Sequence, residues 1–132
     1  MSQKNVNLVR AALVAYNAGD LDRHVTMYSP DAVFVPDASV FPEAVSVRGR
    51  DEIRAWLAET ARAWASPAFP LTEVVDVGDN RVLTRGEWGG RGAASGIELH
   101  SSLSGVWTIR NGAISRVEWF FDDDKALEAV AL

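Results

Sequence analysis

Cysteine is absent from the 132 residues, and histidine occurs only twice. The first absence excludes disulfides and thiolate chemistry. The second leaves little for a zinc centre, which takes three or four N, S or O ligands in close spacing. No apolar run approaches the roughly 18 residues of a membrane span, and Met1-Ser2-Gln3-Lys4-Asn5 carries no signal-peptide core. Lysine and arginine form no cluster on any predicted face and the net charge is −5, so the basic footprint of a nucleic-acid binder is missing. The glycines of 89–96 lack the strand–loop–helix setting of a phosphate loop. The expectation is a cytoplasmic protein with no metal, no cofactor, no nucleic acid and no membrane partner.

What the chain does have is pattern. Apolar residues make up 48% of it, enough for a sizeable core, and its length suits one domain spanning 1–132. Val6, Val9, Leu13 and Tyr16 recur at spacings of three and four, predicting an amphipathic helix up to Ala18. Gly19 suits a left-handed C-terminal position. Asp20 can cap a second short helix, Leu21 to Tyr28, which Ser29-Pro30-Asp31 stops. Ala32-Val33-Phe34-Val35 reads as a short strand closed by Pro36, and 36–49 as a long loop. A third helix, Asp51 to Ala65, carries Ile53, Trp56, Leu57, Ala61 and Trp64 on one stripe, ended by Pro67 and Pro70. Leu71 to Val77 and Arg81 to Trp88 are strands joined by Gly78-Asp79-Asn80.

From Gly96 onward the alternation is clearest. Leu99, Ser101, Leu103, Gly105, Trp107 and Ile109 alternate with Glu98, His100, Ser102, Ser104, Val106 and Thr108, the period of a half-buried strand. After Arg110-Asn111-Gly112 the chain returns with Val117, Trp119 and Phe121 on one face and Arg116 and Glu118 on the other. Asn-Gly suggests a two-residue type I′ turn. That register pairs Trp107 with Arg116 and Gly105 with Glu118, placing charges on the apolar face. A three-residue loop with Gly112 as a bulge aligns Gly105 with Val117 and Leu103 with Trp119. It is the expected form, because one residue of slip reverses every side chain. Asp122-Asp123-Asp124 read as the cap of a terminal helix running to Val130.

Helices first and antiparallel strands later indicate an α+β layer fold, and the wedge between a curved sheet and a long helix commonly holds a ligand. Several segments resemble the nuclear transport factor 2-like superfamily and, within it, the SnoaL-like group. They are Tyr16-Asn17-Ala18-Gly19-Asp20-Leu21-Asp22, Tyr28-Ser29-Pro30-Asp31-Ala32-Val33-Phe34 and Val47-Arg48-Gly49-Arg50-Asp51-Glu52-Ile53. Ser95 to Leu99, Val106 to Gly112 and Ala126 to Ala129 complete the match, which spans nearly the whole chain. The resemblance implies a single cone-shaped, cystatin-like domain: a curved antiparallel sheet wrapped around three N-terminal helices, with an apolar pocket inside. It also implies a homodimer through the outer sheet face, where Val106 and Phe120 sit among polar neighbours.

The family's chemistry transfers only in part. The tyrosine and strand acid of the ketosteroid isomerase relatives fall on Ala12 and Gly105. Their base falls on Pro36, with Asp37 one residue further. The limonene epoxide hydrolase relatives need arginine and aspartate two apart, matched by Arg85-Gly86-Glu87, but their last-strand acid falls on Trp119. The SnoaL-type cyclases ask mainly for one acid/base carboxylate in a hydrophobic cavity, which Asp37 or Glu87 can supply.

The candidate catalytic residues are therefore Asp37 and Glu87. Candidate pocket residues are Tyr28, Val35, Trp56 and Arg85, with Leu103, Gly105, Trp107 and Trp119 on the late strands. Each has a plainer reading: Asp37 as a bond to a turn amide, Arg85 and Glu87 as a surface ion pair, and the tryptophans and Tyr16 as core. His24 reads as a packing residue, and His100 faces outward unless a bulge turns it in. The expected function is binding of a small hydrophobic or polycyclic molecule, with cofactor-independent isomerase or cyclase chemistry on one carboxylate. A non-catalytic binder and a dimeric interaction module are the alternatives.

Overall fold

Apolar spacing of three and four yields the first helix, α1 (Gln3–Asn17), which buries Val9, Ala12, Leu13 and Ala15. It ends where Gly19 turns left-handed at φ 78°. The Gly19 N–H donates to the Tyr16 carbonyl at 3.0 Å and the Asp20 N–H to the Ala15 carbonyl at 2.9 Å, the paired closure of a glycine-terminated helix. In this computed structural model the described residues are 3–37, 46–62, 71–91 and 95–130, with backbone alone for 71–72, 89–91 and 98–100.

Asp20 then caps α2 (Leu21–Thr26), its carboxylate accepting the Arg23 N–H at 3.0 Å. This helix stops two residues short of the predicted Tyr28. The Ile114 N–H takes the Met27 carbonyl at 2.9 Å, and the chain enters the sheet as β1 (Tyr28–Val35). Pro30 is tolerated there because pairing with β6 (Ala113–Phe120) skips from Tyr28 to Val33, so its missing N–H falls at an irregularity in the ladder. Within the predicted loop lies a two-residue strand, β2 (Val47–Arg48), paired with Phe34 and Val33. It is too short to leave a period. α3 (Arg50–Ala61) follows, burying Ile53 and Leu57. Trp64, Ala65, Pro67 and Pro70 lie outside the described residues.

The remaining strands are β3 (Leu71–Gly78), β4 (Arg81–Arg91) and β5 (Glu98–Arg110), and α4 (Asp123–Val130) ends the described chain. Strand order is β2-β1-β6-β5-β4-β3. β1 runs parallel to β6, whereas every other described pair is antiparallel. The sheet is therefore mixed at that one position and not wholly antiparallel. No helix among the described residues is long and apolar enough to cross a membrane.

The terminal hairpin corrects the expected turn. Asn111 and Gly112 both have positive φ, 54° and 76°, and Arg110 pairs with Ala113, which is the two-residue type I′ form. The register shifts between Thr108 and Ile109, so that Trp107 pairs with Val117 and Gly105 with Trp119. The extra residue sits on β6 at Ser115 and not in the loop. It keeps Ile114, Val117 and Trp119 on the inner side, as the apolar pattern demands.

The inner sheet face packs on the helices through Phe34, Val82, Trp107, Val117, Ile53 and Val9. Trp107 is fully buried, and burial of such a ring contributes about 4–6 kcal/mol before the entropy of ordering is counted. Outside, Leu83 and Val106 form a second, smaller cluster with Ala126 of α4, joined by Phe120, Ala129 and Val130. Asp122 caps that helix, its carboxylate accepting the Asp124 N–H at 2.9 Å, while Asp123 accepts the Ser104 hydroxyl at 2.7 Å. The outward apolar pair expected to receive a second copy is covered by the chain's own α4.

Candidate functional site

Alternation along the strands decides what faces inward. On β1, Ala32 and Phe34 are buried while Val33 and Val35 are half-exposed. On β4, Val82 and Thr84 are fully buried, and Trp88 continues their row. Those rows and the late strands meet α1, α2 and α3 around a cavity of about 70 Å³. Tyr16, His24, Tyr28, Phe34, Trp56 and Trp88 line it together with Asp37, Leu103, Trp119 and Phe121, and Leu13, Pro36, Leu57 and Thr60 complete the described wall.

Of the predicted site residues, Tyr28, Asp37, Trp56, Leu103 and Trp119 come together here. Trp107 and Gly105 stand behind that wall. Trp119 lies against Trp107 with ring centroids 5.3 Å apart at 79°, and the Trp107 indole donates to Thr84 Oγ1 at 3.0 Å. A Cβ on Gly105 would meet Trp119 at 2.8 Å, so the missing side chain is what lets the indole lie across the sheet. Val35 belongs to the opposite face by parity, and Phe34 takes its place in the cavity.

Arg85 and Glu87 are corrections of the same kind. They share the outward row of β4 with Leu83, and Glu87 is exposed. Arg85 instead borders an outer pocket with Glu73, Gly86, Ser102 and Asp123, its Nη1 3.6 Å from Glu73 Oε1. The epoxide-hydrolase pattern therefore has no member in the cavity among the described residues. His100 pairs with Gly89 in the ladder, and its side chain lies outside the described set.

Asp37 follows the end of β1, and its Oδ2 accepts the Phe121 N–H at 2.7 Å. The bond ties the end of β1 to the end of β6 at the cavity rim. It is a backbone bond, as the plainer reading expected, but to a residue 84 positions away and not within the turn. Asp37 is the only carboxyl among the described lining residues, and no lysine or arginine is among them.

The hydrogen-bonded residues His24 and Tyr28 of the wall are polar but uncharged. His24 Nδ1 lies 2.7 Å from the Ala12 carbonyl and Nε2 3.0 Å from the Tyr28 hydroxyl. A carbonyl only accepts, so Nδ1 carries the proton; in the neutral ring Nε2 then accepts from the phenol. Burial pushes the His24 pKa down, partly opposed by the Ala12 carbonyl, which keeps the ring neutral. Burial also raises the Tyr28 phenol, with Tyr16 adding to the effect. Tyr16 is likewise raised by burial, against a hydrogen bond from the Trp88 indole. The site thus offers neutral donors and acceptors together with a carboxyl.

Sequence reasoning missed Tyr16, His24 and Trp88 as cavity residues. Trp88 was legible from its parity with Val82 and Thr84, but burial of Leu83 beneath α4 makes both rows of β4 apolar. Among the described residues no three His, Asp or Glu side chains converge as metal ligands would.

Solved structures share this architecture. A nuclear transport factor 2-like protein of unknown function from Burkholderia pseudomallei is 20% identical, with both chains fully covered and a TM-score of 0.80. A candidate polyketide cyclase from Xanthomonas campestris is 19% identical over 98% of each chain, TM-score 0.77. A protein of ketosteroid isomerase-like fold from Catenulispora acidiphila, solved in complex with trimethylamine, is 17% identical. It covers 86% of this chain and 83% of its own, TM-score 0.75. No curated protein matches in sequence. The family model of the SnoaL-like domain matches residues 9–117, and with the helix-backed sheet and its aromatic cavity in place, the chain belongs to that family.

Proposed function

We propose that the chain binds a small, mainly apolar molecule in the inner cavity and that Asp37 meets its polar end. One observation carries this: a carboxyl anchored on the Phe121 backbone at 2.7 Å in a hollow whose other described lining residues are aromatic, aliphatic and neutral polar groups. A base in such a place can take a proton from a C–H acid and return it elsewhere, the step a cofactor-independent isomerase or cyclase needs. Neighbours named as candidate polyketide cyclases accord with that chemistry. The ligand class proposed is small, the polycyclic ligand that the resemblance implies being the larger alternative. The trimethylamine held by one neighbour is of that small class.

A non-catalytic binder is the second reading. It is favoured by Ala12 and Gly105, which stand where isomerase relatives carry a tyrosine and an acid. A thermal-shift screen of one-ring ketones, epoxides and phenols tests both, since a ligand of the native state raises the unfolding midpoint by mass action. The expected result is a rise with small compounds. Asp37→Asn, which keeps an oxygen for the Phe121 N–H, retains binding of neutral compounds and abolishes turnover if Asp37 is the base. A flat screen across all small compounds contradicts the proposal.

A further inference from the structure

We infer that the ligand of this cavity is a small organic ammonium cation, a protonated tertiary amine or a quaternary head group. The inference rests on the cavity reading above and adds the sign of the ligand's charge. The described lining holds one carboxyl, Asp37, and neither lysine nor arginine. Both His24 nitrogens are committed, to the Ala12 carbonyl and the Tyr28 hydroxyl, so the ring presents no positive charge to a ligand. An anion entering here loses its water and gains no cationic partner among the described residues.

A compact cation fares differently. Tyr16, Phe34, Trp56, Trp88, Trp119 and Phe121 surround the space, and aromatic faces attract a desolvated ammonium, tryptophan most strongly. Asp37 supplies the counter-charge. Trp119, settled over Gly105, adds its indole to that aromatic wall. The net charge of −5 biases encounters toward cations.

Calorimetric titration of the full chain with choline and with 3,3-dimethylbutan-1-ol tests this. The alcohol is the neutral isostere, with carbon in place of nitrogen. Choline binds at least tenfold more tightly if the inference holds. Asp37→Asn then weakens choline tenfold or more while moving the alcohol less than twofold, with circular dichroism confirming the fold. Equal or tighter binding of the alcohol overturns the inference and leaves the cavity reading intact, as does an undiminished choline affinity in Asp37→Asn. Silence of both probes, with one-ring neutral compounds still raising the unfolding midpoint, also overturns the inference alone. Silence throughout removes the cavity reading with it. Should the variant fail to fold, the wild-type comparison of choline with the alcohol decides.

Discussion

A Cβ on Gly105 would come within 2.8 Å of Trp119 Cζ3, 2.9 Å of Trp107 Nε1 and 3.0 Å of Thr84 Oγ1. Two of these atoms belong to stiff rings in contact with each other, so neither yields cheaply. Gly105→Ala is expected to lower stability by about 1–3 kcal/mol through overpacking, read as a lower urea midpoint at unchanged m-value. His24 gives a pH dependence. Its folded pKa lies below the unfolded value near 6.5 because burial disfavours the charged ring. Below about pH 6.5 the unfolded chain binds more protons than the folded one, so stability falls with falling pH until the depressed folded pKa is reached. His24→Asn is expected to flatten the change in urea midpoint between pH 7.5 and 5.5; an equal slope in both proteins contradicts this assignment. At this scale Asp37 was legible from its place after Pro36. Its partner was not, because no local signal links residue 37 to the amide of Phe121.

The terminal hairpin shows how two local rules settle a conflict between elements. Asn111-Gly112 adopts the turn its dipeptide prefers, and the slip that turn would impose is absorbed one residue along β6. The alternation showed that Trp107, Val117 and Trp119 share a face, but a bulge at Ser115 leaves no trace in the pattern. Gly112→Ala is expected to cost about 1 kcal/mol, since alanine is strained at a φ of 76°; calorimetric unfolding measures it. α4 was legible by its acidic cap, but not what it covers. Its Ala126 is 1% exposed against Leu83 and Val106. Ending the chain after Phe121 bares that patch, and such patches drive association. Sedimentation velocity is expected to show the shortened chain self-associating at concentrations where the full chain does not. Identical profiles would remove the covering role.

At the scale of the molecule, helices on one side of a six-stranded sheet leave the aromatic hollow between layers. The order of elements and the family resemblance made that architecture legible. The identity of the inward acid was less so: Glu87 fitted a motif spacing, yet its row of β4 faces outward. The claim on which the rest depends is that small molecules enter this hollow. Indole N–H resonances of the tryptophans, followed by NMR during titration with choline, with 3,3-dimethylbutan-1-ol and with a one-ring phenol, report on it at residue resolution. The account predicts that at least one of these probes shifts the Trp56, Trp88 and Trp119 signals in a saturable way, with smaller changes at the sealed Trp107. Saturable shifts confined to the outer face around Leu83 and Val106, or none at all, would contradict it.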